Sequence, residues 1–291
     1  MPRPRSMFSH LGRSVALTLL ALVVLAVAAA VWQGHRTPKG TPEYVALGSS
    51  FAAGADLGRL EKGSPLLCAR SVNGYPQQLA RMRGLAIVDM SCGGAVTKHL
   101  LVGGQDFQGP QIRAVDRRTR LVTITVGGND IGYIGDLSLL AARHAHTPFG
   151  WLVRTFWKGP KSADGRDYAG VETQVLESLY TVHARSPGAT VIVATYPAIL
   201  PPAGTCPTLG LSAAEADLMR QVAARLDAAT QAAAKQGDAI LVDMNAIGAA
   251  HNACSSAPWT RGWTNAGAAP FHPTLAGAKA TAEAVSAVLK P

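Results

Sequence analysis

The chain has 291 residues, a formal charge of +9, 48% hydrophobic residues and 6% aromatics. Beyond its N-terminal segment, a length of about 250 residues suits one α/β domain. The mild positive excess favours anionic surfaces. The densest basic cluster, Arg113 to Arg120, has no aromatic residue interleaved with it, which excludes a nucleic-acid reading.

Residues 1–33 open with Arg3, Arg5 and Arg13 and no acid, then run uncharged from Val15 to Trp32. A basic start followed by an apolar core is the pattern of a secretory signal or a single membrane anchor. Ala26-Val27-Ala28 and Ala28-Ala29-Ala30 offer small-residue cleavage sites. The run is also about the 20 residues needed to span a bilayer, with Trp32 where an interfacial anchor would sit. Both readings place the protein outside the cytoplasm, secreted or held at the membrane. Residues 34–42 form a polar, proline-containing linker, and 43–291 form the domain.

Short apolar runs rich in Val and Ile recur at Tyr44–Leu47, Leu85–Asp89, Leu121–Val126, Thr190–Thr195 and Ala239–Asp243. Helical patterns lie between them at Tyr75–Arg83, Pro110–Arg118, Val171–Ala184 and Ser212–Lys235, and a last one covers Pro273–Leu289. Strand alternating with helix predicts a parallel sheet covered on both faces. The stretch Leu137–Tyr168 is less regular and reads as a long surface loop, in preference to an insertion beside the site. Its apolar residues Leu139, Leu140, Phe149, Trp151 and Leu152 are candidates for an acyl-binding wall.

Ligands of such sheets sit beyond the carboxyl ends of the strands. The first strand is followed by Gly48-Ser49-Ser50, the second by Ser91-Cys92-Gly93-Gly94-Ala95, the third by Gly127-Gly128-Asn129-Asp130. After the fifth the chain reaches Phe271-His272-Pro273. A serine on a strand-to-helix turn is exposed and fixed in direction, and backbone donors lie beside it. His272, ahead of a proline that suits a first helical turn, is the candidate general base. No Asp or Glu lies between Asp243 and His272, so no carboxylate from that segment orients the imidazole. A backbone carbonyl does that work in our reading, and Ala269, three residues upstream, is the expected one. Ser50 N–H, Gly94 N–H and the Asn129 amide are the expected oxyanion donors.

The four cysteines, Cys68, Cys92, Cys206 and Cys254, suit two disulfides in an exported chain. Of three pairings we take the sequence-local one, Cys68–Cys92 and Cys206–Cys254. The alternative is zinc, with His251-Asn252-Ala253-Cys254 as half a site. It has no C-x-x-C or H-x-x-x-H partner, and His144 and His146 lack a matching pair, so no metal is expected.

These residues resemble the SGNH, or GDSL-type, hydrolase family. Gly48-Ser49-Ser50-Phe51-Ala52-Ala53-Gly54 is similar to its first block, Gly93-Gly94 to its second, Gly127-Gly128-Asn129-Asp130 to its third and Phe271-His272-Pro273 to its last. Cys68-Ala69-Arg70-Ser71 with Asn73-Gly74-Tyr75-Pro76, and Cys254 before Pro258-Trp259, resemble its disulfide-bearing secreted bacterial esterase and lipase branch. The resemblance implies a flavodoxin-like three-layer α/β/α sandwich on a parallel sheet of about five strands. It also implies hydrolysis of carboxylic esters of small molecules or lipids, without cofactor, through an acyl-enzyme on Ser50 with His272 as base. Two positions depart from the family. Ser49 stands where an Asp is usual, and Ala269 where the Asp before the His is usual. An acyltransferase, or a catalytically silent envelope protein binding lipid or glycan, is the alternative.

Overall fold

The computed structural model describes residues 6–35, 42–264, 267 and 269–290, with side chains from residue 12 onward. The linker expected at 34–42 lies largely outside the described residues. An apolar helix, α1 (Ser6–His35), precedes the domain, and its 24-residue segment Gly12–His35 is long and apolar enough to cross a membrane.

In the domain the order is β1 (Tyr44–Gly48), α2 (Ser50–Ala53), α3 (Tyr75–Arg83), β2 (Ile87–Asp89), α4 (Lys98–Leu101), β3 (Leu121–Thr125), α5 (Tyr133–His144) and α6 (Pro148–Phe156). It continues with α7 (Tyr168–Arg185), β4 (Thr190–Ala194), α8 (Ala213–Gln236), β5 (Ile240–Val242), α9 (Met244–Ile247) and α10 (Leu275–Val288). The five strands pair in parallel in the order β2-β1-β3-β4-β5. β1 and β3 are therefore neighbours inside the sheet, with Gly48 level with Thr125.

The inner strands β1, β3 and β4 are buried on both faces, which is why they read as continuous apolar runs, whereas the edge strands β2 and β5 are only partly covered. Alternate residues of β1 go opposite ways. Val45 and Leu47 pack with Val122, Ile124 and the inner sides of α5, α7 and α8. Tyr44 and Ala46 pack with Leu121, Ile192 and the inner sides of α3 and α10. Helix, sheet and helix make the three expected layers.

The helix expected at Pro110–Arg118 is only a 3-10 turn, Gln111–Ala114. The chain leaves it in extended form at Val115, and Asp116 then closes a turn by accepting from Arg118 N–H. The stretch expected to be a loop after Leu137 instead holds α5 and α6. Thr147 caps α6 by accepting from Gly150 N–H. Both expected disulfides are present, Cys68–Cys92 and Cys206–Cys254. No group of three or more His, Cys, Asp or Glu suited to a metal exists among the described residues.

Candidate active site

The site begins where β1 stops. Gly48 takes φ 146°, and a Cβ there would lie 2.3 Å from the Thr125 carbonyl oxygen, so only glycine lets β1 turn this close to β3. Gln111 holds that glycine at both ends. Gly48 N–H donates to Gln111 Oε1 (2.8 Å), and Gln111 Nε2 donates to the Gly48 carbonyl (3.0 Å). Ser49 then stands as N-cap residue of α2, and Ser50 opens that helix. Ser50 is buried but for its edge on the site, 7% exposed.

His272 arrives from the far end of the chain. Its Nε2 lies 2.7 Å from Ser50 Oγ, across 222 residues of sequence. Its Nδ1 lies 2.8 Å from the Pro270 carbonyl. A carbonyl only accepts, so Nδ1 carries the proton and Nε2 keeps its lone pair towards the Ser50 hydroxyl. The orienting carbonyl is thus that of Pro270, and the expectation of Ala269 is corrected. The reason is local. Phe271 is fully buried with φ 60°, a left-handed turn that folds the Pro270 carbonyl back onto the ring two residues on.

Burial pulls the His272 imidazole below its ordinary range. The Pro270 bond opposes this, Arg261 adds to it, and Asp56 opposes it more weakly. Arg261 and Asp56 are themselves paired, with Arg261 Nη1 2.8 Å from an Asp56 carboxylate oxygen. Arg261 N–H also donates to the His272 carbonyl (2.9 Å). A neutral ring at neutral pH is the form a general base requires.

The oxyanion candidates come from three adjacent strand ends. Gly94 follows β2 with φ 76°, a left-handed conformation suited to glycine. Asn129 follows β3, and one of its amide hydrogens goes to the Ala95 carbonyl (2.9 Å), leaving the other for a ligand. Neither Ser50 N–H nor Gly94 N–H donates to a protein acceptor among the described residues. Three donors on a rigid sheet edge are suited to a developing negative charge.

Further side chains tie these loops together. Asp130 accepts from Thr97 N–H (3.0 Å) and Thr97 Oγ1 (2.5 Å), joining the loop after β3 to the loop after β2. Asp89 accepts from Ser91 N–H (2.9 Å) and Oγ (2.5 Å), and Arg70 Nε donates to the Ser91 carbonyl (2.6 Å). Gln105 Nε2 donates to the Gly93 carbonyl. Among the residues suggested as an acyl wall, Leu140 is in the core, while Phe149, Trp151 and Leu152 lie exposed on α6. The groove that reaches Asn129, about 420 Å³ in volume, is lined by Ile131 and Trp157 together with charged Asp130, Asp136, Lys161 and Arg166.

Comparison with known proteins agrees with this geometry. The GDSL-like Lipase/Acylhydrolase family matches residues 46–280. The chain belongs to that family. It is 31% identical over 306 aligned positions to Lipase 2 of Streptomyces coelicolor, with 99% of each chain covered. A lipase of Streptomyces rimosus is 29% identical over 81% of this chain and 82% of its own. The crystal structure of an extracellular lipase from Streptomyces rimosus superposes with a TM-score of 0.69 and 26% identity, over 85% of this chain and 100% of that one. A phospholipase A1 from Streptomyces albidoflavus shares the fold, with a TM-score of 0.65 and 24% identity over 85% of this chain and 98% of that one. As a member of the GDSL-like lipase/acylhydrolase family the protein is a carboxylic ester hydrolase. Its apolar N-terminal helix and two disulfides mark it as exported.

Proposed function

We propose that the protein hydrolyses lipid esters outside the cytoplasm through an acyl-enzyme on Ser50. His272 takes the Ser50 proton as Oγ attacks the ester carbonyl, and gives it to the departing alcohol. Ser50 N–H, Gly94 N–H and Asn129 Nδ2 hold the oxyanion of the tetrahedral intermediate. Water, deprotonated by the same imidazole, then releases the acyl group. The Pro270 carbonyl keeps the tautomer fixed throughout, without the charge a carboxylate would add. In a serine-protease triad the wrong tautomer is associated with a loss of about 10⁴ in rate, so orientation is the larger part of what the acid supplies.

The observation that carries this reading is the 2.7 Å contact from His272 Nε2 to Ser50 Oγ, with Nδ1 tied to a carbonyl. The lipid character of the substrate rests on relatives named as lipases. Residues 1–33 are in this reading the export segment, 34–42 the linker and 43–291 the catalytic domain. The test is hydrolysis of p-nitrophenyl acetate, butyrate and palmitate by the full chain, beside Ser50→Ala and Ser49→Ala. Ser50→Ala is expected to abolish turnover and covalent labelling by a fluorophosphonate, with Ser49→Ala still labelled. A folded wild-type protein inert to both the esters and the fluorophosphonate would overturn the reading.

A further inference from the structure

We propose that the site's rim at Leu66, Leu67, Val102 and Phe107 rests in the interface of the lipid bilayer that α1 enters. The proposal rests on the ester-hydrolase reading of the site and adds where that site works. Four large apolar side chains stand in water here, with exposures of 76%, 65%, 65% and 47%. Single exposed apolar residues need no explanation, but a group of them beside one loop marks an interaction surface.

The group is built around the oxyanion loop. Gly93 N–H donates to the Cys68 carbonyl (2.9 Å), and the Leu67 carbonyl packs against Gly93. From the other side Gln105 grips the Gly93 carbonyl, and Val102 and Phe107 flank that glutamine. The end of α1 is fastened at the same place. Gly109 N–H (3.2 Å) and Arg113 Nη2 (2.7 Å) both donate to the Gly34 carbonyl, and Gly34 packs on the Phe107 carbonyl. Gln33 faces Lys62 and Pro65 across a shared groove.

The occupant follows from α1 itself. Its 24-residue segment Gly12–His35 is exposed in the fold up to Ala29, and in its last turn Gly34 is buried against the domain. At 1.5 Å per residue that segment is about 36 Å long, enough for a hydrocarbon core of about 30 Å. A bilayer that covers α1 therefore ends close to the level of Phe107, against which Gly34 packs. Trp32, 62% exposed, lies at that boundary, where tryptophan concentrates. A lipid ester leaving the bilayer would meet Gly94 without crossing bulk water.

The test uses the full chain, reconstituted in phosphatidylcholine/phosphatidylglycerol vesicles with and without brominated acyl chains. The native cysteines are all in disulfides, so Leu66→Cys, Val102→Cys and Lys235→Cys each give one labelling site for a nitrobenzoxadiazole probe. Lys235 is exposed near the C-terminal end of α8, at the opposite edge of the sheet. Brominated lipid is expected to remove about half of the fluorescence at positions 66 and 102 and to leave position 235 unchanged, as insertion by about 5–10 Å requires. No quenching at 66 and 102, or equal quenching at all three, would overturn the proposal. Turnover of soluble p-nitrophenyl acetate by the unsubstituted protein is measured in parallel. Its absence would count against the ester-hydrolase reading, whereas turnover without rim quenching would count against the docking alone.

Discussion

Ser49 and Tyr196 share a buried hydroxyl–hydroxyl hydrogen bond of 3.1 Å. Gly128 N–H donates to the same phenol oxygen (3.1 Å). One phenol thereby joins the end of β1 to the loop that carries Asn129. Burial pushes the phenol up to about 12, which keeps it neutral. Tyr196→Phe strands the Gly128 donor and is expected to cost about 1–3 kcal/mol in urea unfolding. It is also expected to lower kcat on p-nitrophenyl butyrate by about tenfold, through displacement of an oxyanion donor. Ser49→Ala keeps the Gly128 bond but takes away the phenol's other buried partner, so a cost of about 1–3 kcal/mol is expected, with kcat little changed.

The depressed imidazole sets the acid limit of activity. Protonated His272 is no base, so kcat/KM is expected to rise with pH along an acid limb whose midpoint lies below the ordinary histidine value of about 6.5. Arg261 pushes the ring down and Asp56 pulls it up. Arg261→Met removes the first and leaves the second, so the acid limb should move to higher pH. A pH profile of kcat/KM for both proteins checks the direction, and an unchanged limb would show that the ring is insensitive to the pair.

The two disulfides are expected to differ in what they protect. In the chain-entropy view each contributes on the order of 3–4 kcal/mol. Cys92, however, immediately precedes Gly93-Gly94, while Cys206–Cys254 lies away from the oxyanion loop. Replacing Cys68 and Cys92 by alanine should lower both Tm and kcat. Replacing Cys206 and Cys254 should lower Tm and leave kcat close to wild type at a temperature where the protein stays folded.

Asp227 carries a pH-dependent cost. Burial and the nearby Asp243 raise it from 3.8 to about 7, while Asn245 Nδ2, 2.6 Å away, opposes the rise. Between these values the unfolded chain ionises this group and the folded chain does not, so stability falls as pH rises from about 4 to 7. Above pH 7 the loss is complete. Asp227→Asn is expected to stabilise by on the order of 1–3 kcal/mol at pH 8 and to be neutral near pH 4, read from thermal melts at both.

The elements that sequence reasoning located best were those decided by local pattern. Val/Ile runs fixed five strands to within a few residues, and Tyr75–Arg83 agrees with α3 at both ends. Ser50, Gly94, Asn129 and His272 stood out in the sequence because each follows a strand or precedes a proline, and the structure brings Ser50 and His272 into contact. What stayed hidden depends on contacts across the sequence. Gln111 sits 63 positions from Gly48, and Tyr196 sits 147 from Ser49. Pro270 rather than Ala269 faces the imidazole because Phe271 takes a left-handed conformation that a buried aromatic rarely adopts. α5 and α6 were missed because Gly, Pro and aromatic residues masked their helical period.

The separation of 222 positions between Ser50 and His272 gives the enzyme a built-in timing. The base lies just ahead of α10, which packs against α3 on the layer behind β1. If Ser50, Gly94, Asn129 and His272 act as proposed, a partly synthesised or partly translocated chain has the nucleophile and the oxyanion donors yet lacks the base that takes the proton. Hydrolytic power therefore switches on only when the last helix has emerged and docked. A lipid-cleaving protein that must pass through a membrane thus remains harmless to that membrane while it is in transit.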